Sequence, residues 1–153
     1  MLKSGLIFGA IATLLSVVAA LVSPLCVPCL AIFLGLGAGY LAGVFDKPID
    51  NGGASRAGAL GGLISGIGAL LGQLIGAGIN GAIVGPENAS RIIEQLGLPN
   101  AGGDFSTSYW CGLIGGGCCL GIFDIALMAG LGALGGLLWW QISGKKALVV
   151  PIQ

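Results

Sequence analysis

Along the chain, long apolar stretches alternate with brief polar ones. Four stretches stand out: Ser4 to Val22, Cys29 to Phe45, Ala57 to Val84 and Trp110 to Trp140. A bilayer core ~30 Å thick takes about 20 apolar helical residues at ~1.5 Å each. The pattern therefore predicts membrane-spanning helices over 4–22, 29–45, 57–84 and 110–140. Between the first two, Ser23-Pro24-Leu25-Cys26-Val27-Pro28 predicts a tight turn, because each proline lacks a donor and disfavours helix before it. Asp46 to Gly53 reads as a polar loop, and Gly85-Pro86-Glu87 ends the third span. Residues 87–97 predict a short amphipathic helix in the membrane interface, with Ala89, Ile92, Ile93 and Leu96 on one face. Pro99 to Ser108 reads as loop, while Tyr109-Trp110 and Trp139-Trp140 bracket the last stretch as aromatic belts do. Gly115-Gly116-Gly117 predicts a kink or an emergent first turn in that stretch, which is longer than a bilayer needs. The fold expected is an all-α integral membrane protein. It is a glycine-rich bundle of four transmembrane helices with a short interfacial helix, forming one membrane domain over residues 1–153.

Composition sharpens this. Of the 153 residues 56% are hydrophobic and only 8% charged, with a mean hydropathy of +1.02, whereas soluble domains carry roughly 25% charged residues. Lys3 before the first apolar stretch fits a signal peptide or a first span, and Gly5-xxx-Gly9 favours the span. Lys3, Lys47, Arg56, Lys145 and Lys146 fall on one side of a four-span topology and Arg91 alone on the other. The positive-inside bias then places both termini in the cytoplasm, in a bacterial-type inner or plasma membrane.

The 31 glycines follow no collagen-like period, so they belong inside apolar helices as packing residues. On a wheel of ~100° per residue, Gly58, Gly61, Gly62, Ser65, Gly68, Ala69, Gly72 and Gly76 share one arc of the third span. Leu60, Leu63, Ile64, Ile67, Leu70, Leu71 and Leu74 fill the opposite, lipid-facing side. Gly35, Gly39 and Gly43 repeat the device in the second span, as do Gly112 with Gly116, Gly117 with Gly121 and Gly132 with Gly136 in the fourth. Gln73 and Asn80 border the groove of the third span, where each amide can bond a facing helix or line a polar path.

Histidine is absent, which removes the usual haem ligand, the commonest zinc ligand and the commonest general base. Zero net charge with scattered basic residues argues against a nucleic-acid partner. No ATP-binding loop, hydrolase elbow or dinucleotide fingerprint is present, so no cofactor, resident metal or catalytic domain is expected.

The unusual polar chemistry lies in Cys26, Cys29, Cys111, Cys118 and Cys119 and in Asp124. The topology puts Cys26, Cys29 and Cys111 near the extracytoplasmic face, where disulfides persist, and a helix N-terminus at Cys29 would lower a thiol pKa. Four spans with Cys26-Val27-Pro28-Cys29 opening the second resemble the disulfide-generating quinone reductases of bacterial membranes. That resemblance implies thiol-disulfide chemistry, although the loop at 85–110 lacks that family's second cysteine pair. Cys118-Cys119-Leu120-Gly121 resembles the paired-cysteine helix of small mercuric-ion transporters, which implies soft-metal handling at these thiols. Structural, inert cysteines are the alternative.

Asp124 is the sole acid well inside an apolar span, where an ionised carboxylate costs a few kcal/mol or more. It shares a helix side with Gly117, Gly121, Met128 and Gly135, so it faces protein. The leading expectation is a non-catalytic membrane protein, either an accessory subunit of a larger complex or a self-associating bundle. Its partners are then the lipid bilayer and other membrane subunits or itself. The alternatives are a thiol or soft-metal protein using Cys26 and Cys29, and a small channel or transporter built around Asp124, Gln73 and Asn80.

Overall fold

A computed structural model describes residues 2–22, 27–97 and 104–145. These form α1 (Leu2–Val22), α2 (Val27–Asp46), α3 (Asn51–Gln95) and α4 (Phe105–Trp139), the last continued by a π-helical turn, Trp140–Gly144. All four helices are long and apolar enough to cross a membrane. No strand occurs among the described residues. The turn expected at Ser23 to Pro28 lies mostly outside them. Pro28 itself is inside α2, whose first turn needs no N–H from it.

The helix ends depart from the hydropathy boundaries for identifiable reasons. α3 starts inside the expected polar loop because Asp50 caps it, accepting a hydrogen bond from Gly53 N at 3.2 Å. α4 starts at Phe105, inside the expected 99–108 loop, because Asp104 caps it in turn. Its carboxylate accepts from Thr107 Oγ1 at 2.6 Å and Ser106 N at 3.2 Å, and the Thr107 hydroxyl holds this carboxyl below its usual value. The third span and the amphipathic segment form one run interrupted at Gly85, whose φ of 68° and ψ of 158° only glycine adopts cheaply. Pro86 follows it, so the segment to Gln95 sets off in a new direction. The kink expected at Gly115-Gly116-Gly117 is absent: α4 runs through these residues unbroken, and its surplus length lies in its N-terminal turns.

Glycine contacts define the topology. A Cβ placed on Gly58 would strike the Gly132 carbonyl, one on Gly62 the Met128 carbonyl, one on Gly66 Ile125, and one on Gly81 Trp110 and Leu113. Numbers rise on α3 as they fall on α4, so the two are antiparallel. On the other side of α3, Gly68 meets Gly9, Gly72 meets Thr13 and Gly76 meets Val17 and Ala20. α1 therefore runs parallel to α3. In the same way Gly35 meets Met128, Gly39 meets Gly132 and Gly43 meets Trp139, which makes α2 parallel to α4. At these points the helices touch backbone to backbone, the geometry that replaces apolar burial as the driving force between helices in lipid. Thr13 Oγ1 joins one such seam, lying 2.8 Å from Gly9 O and 2.9 Å from Gly68 O.

Three packing expectations need correction. Of the residues assigned to the lipid-facing side of the third span, Leu60, Leu63, Ile67 and Leu71 are exposed, but Ile64 packs over Gly5 and Leu70 over Gly121, while Leu74 stands near Gly117. The groove on α3 is wide enough for two helices, so its flanks are covered as well. Trp139 and Trp140 are buried at 7% and 8% exposure, packed with Tyr40 and Ala54, and form no exposed belt. Finally, Gly112 and Gly116 face open space, as does Gly115. The register of Gly35 on Met128 and Gly39 on Gly132 lays α2 along only the last ~20 residues of α4. The first half of α4 consequently has one bare flank among the described residues.

Candidate functional site

At mid-height in the bundle α3 and α4 meet through two polar side chains. Gln73 Nε2 donates to Asp124 Oδ2, and both residues are buried, Asp124 completely. Small residues create this meeting. A Cβ on Gly121 would run into Leu70 and come within 3.5 Å of Gln73 Oε1, and one on Gly72 would crowd Thr13 and Ser16. Asp124 thus sits where helix periodicity puts it, on the protein-facing side of α4 with Gly121 and Met128, both buried.

The pair is incompletely satisfied. Asp124 Oδ1 is buried with no hydrogen-bond partner, and so is Ser16 Oγ on α1. A buried polar atom without a partner costs about 1–3 kcal/mol, more when charged. The described basic side chains, Lys47, Arg56, Arg91 and Lys145, stand near helix ends, away from Asp124 in sequence and height.

A cavity of about 350 Å³ begins at this pair. It extends between α1, α3 and α4 to Val84 and Tyr109, near the α3–α4 connection, and Ala20, Ala77, Leu113 and Leu120 make its apolar walls. From Gln73 to Val84 the helical rise is ~16 Å. Asn80, in the wall, donates from Nδ2 to Ala20 O at 3.3 Å, which ties α1 to α3, and Tyr109 OH donates to Gly81 O at 3.4 Å. Three of the polar residues singled out from sequence, Gln73, Asn80 and Asp124, therefore line one chamber. Sequence periodicity missed Tyr109, Ser16 and Thr13, each an ordinary residue type whose role depends on which helix lies opposite.

The cysteines do not join this site. Cys29, Cys111 and Cys119 are exposed, Cys118 is half-buried, and all four are free thiols. Cys26 lies outside the described residues. The register of α2 on α4 sets Cys29 about level with Ile122, because α2 starts partway along α4. Cys111 is then roughly 16 Å away along the bundle axis, beyond the Cα separation a disulfide allows. No cluster of three or more His, Cys, Asp or Glu side chains able to hold a metal occurs among the described residues.

The glycines of α2 and α3 assigned to packing sit where helices converge, unlike Gly112 and Gly116 on α4. Gly58, Gly61, Gly62, Gly68, Gly72 and Gly76 on α3 and Gly35, Gly39 and Gly43 on α2 are buried, each with a neighbouring helix in the space a side chain would need. Compared with known proteins, the chain matches no family model, no curated protein and no solved structure.

Proposed function

We propose that the chain is a non-catalytic, four-span membrane protein that binds a small ligand or ion at Asp124, in a chamber entered from the extracytoplasmic side. One observation carries this reading: a cavity of about 350 Å³ leads to a fully buried carboxylate that keeps one oxygen without a partner. Ionisable groups inside apolar spans are costly, and they are retained mainly where a ligand, ion or proton uses them. Pockets of ~300–1,000 Å³ with apolar walls and a few convergent polar groups are the usual form of small-molecule sites.

The orientation rests on charge. Lys47 after α2, Arg56 at the start of α3 and Lys145 after α4 share one end of the bundle, and Arg91 lies beyond the other. The positive-inside rule makes the first end cytoplasmic. The Val84 and Tyr109 end of the chamber then lies toward the opposite side.

Apolar carbodiimides enter membranes and add to carboxyl groups in apolar surroundings, so they test the site. In liposomes, dicyclohexylcarbodiimide is expected to modify Asp124, seen as one reagent mass on its peptide. Ala77→Phe, which fills the chamber, is expected to slow that reaction at least tenfold. A water-soluble carbodiimide should instead label exposed Asp50, Glu87 and Asp104. If the apolar reagent leaves Asp124 untouched, or if Ala77→Phe changes nothing, the chamber is not a route to the carboxyl and the proposal falls.

A second reading is favoured by a different observation, the open flank of α4 at Gly112, Gly115 and Gly116. Small residues there would let another membrane helix approach closely, as in an accessory subunit or a self-associating bundle. The two readings are compatible, because that flank and the chamber involve different residues.

A further inference from the structure

We infer that the ligand of this chamber is a small lipophilic amine, bound as its ammonium form with an N–H group on Asp124 Oδ1. The inference rests on the ligand-binding reading above and adds the chemical class. The available partners narrow the choice. Asp124 Oδ2 is taken by Gln73, Asn80 Nδ2 by the Ala20 carbonyl and the Tyr109 hydroxyl proton by the Gly81 carbonyl, so the strongest acceptor without a partner on the lining residues is the buried Oδ1 of Asp124.

A hard metal cation needs six or more oxygens arranged around it, whereas among the lining residues only Gln73, Asn80, Tyr109 and Asp124 carry side-chain oxygens, and the other walls are alanine, valine, leucine and glycine. A bare proton would need the carboxylate but no chamber. An ammonium group answers both features. Its N–H forms a charge-assisted hydrogen bond to the oxygen without a partner, its charge cancels that of a carboxylate with no basic side chain nearby among the described residues, and its apolar body lies against Ala77, Leu113, Leu120 and Val84. The volume, near the lower end for small-molecule pockets, suits a ring or short chain rather than a lipid tail.

The test uses the full-length protein in liposomes and three probes of similar shape: 2-phenylethylamine, 2-phenylethanol and the N,N,N-trimethyl derivative of the amine. Each is scored by protection of Asp124 from dicyclohexylcarbodiimide and by calorimetric titration. The amine is expected to bind at least ~10-fold more tightly than the alcohol, the discrimination that a hydrogen bond to a charged group supplies. The quaternary derivative, which has no N–H to donate, should bind no better than the alcohol. In calorimetry Asp124→Asn is expected to erase the preference for the amine. Should that variant fold poorly, Ala77→Phe, which leaves the carboxyl intact, must abolish binding of both amine and alcohol.

Equal affinity for amine and alcohol would overturn the inference, as would a quaternary derivative that matches the amine. If no probe protects while the carbodiimide still labels Asp124 through the chamber, the amine assignment fails and the underlying reading stands. If Asp124 is never labelled, the underlying reading fails first.

Discussion

At the scale of single residues, glycine has two distinct uses here, and substitution separates them. Gly58, Gly62 and Gly132 sit where a Cβ would enter a neighbouring backbone, which cannot move aside as a side-chain tip can. Gly112 and Gly116 face open space. Alanine favours helix over glycine by about 1 kcal/mol, whereas overpacking a tight contact costs about 1–3 kcal/mol or more. Gly62→Ala and Gly132→Ala are therefore expected to lower stability by about 1–3 kcal/mol, while Gly112→Ala and Gly116→Ala leave it unchanged or raise it slightly. Reversible unfolding in mixed micelles measures this, and equal effects at both kinds of site would contradict the packing described. The buried arc from Gly58 to Gly76 was legible in the sequence, because a 3.6-residue period shows directly when small residues share a face. The difference between Gly62 and Gly112 was not. It depends on which part of α4 its neighbours reach, and nothing in either residue's local sequence records that.

At the scale of the helices, registers and breaks determine what each segment can do. The stop at Gly85-Pro86 was readable from composition, but its form was not: a single residue at φ 68° joins two helical segments with no loop between them. Alanine at this position would face a backbone conformation costing about 1–3 kcal/mol, and Pro86 keeps it from turning helical instead. Gly85→Ala is thus expected to swing residues 86–95 to a new direction relative to the rest of α3. Spin labels at Gly78 and Ile92 measure the change by electron-electron resonance. An unaltered distance distribution would show that the glycine conformation does not set this angle. The start of α4 went unread because Asp104, Ser106 and Thr107 look like loop residues until the cap they form is seen. Likewise the offset of α2 along α4, which sets Cys29 level with Ile122, follows from backbone contacts at Gly35 and Gly39 that hydropathy does not encode.

At the scale of the whole molecule, two antiparallel helices, α3 and α4, form the spine, and α1 and α2 each lie parallel to one of them along glycine seams. This arrangement consumes internally most of the small-residue faces that would otherwise point to an outside partner, and among the described residues it leaves the early part of α4 bare at Gly112, Gly115 and Gly116. It also opens a chamber between α1, α3 and α4 that ends on the one acid buried in the bundle. The location of Asp124 on the inner face of α4 could be anticipated from its helical neighbours. Its pairing with Gln73 could not, since the two lie 51 residues apart on different helices. Everything proposed for the site depends on that pair meeting inside a bilayer. Solid-state NMR on liposomes can measure the separation between a ¹⁵N-labelled Gln73 amide and the ¹³C-labelled Asp124 carboxyl directly. The account predicts a nitrogen-to-carbon distance under about 4 Å, as a hydrogen bond requires, whereas a separation beyond hydrogen-bond reach would contradict it.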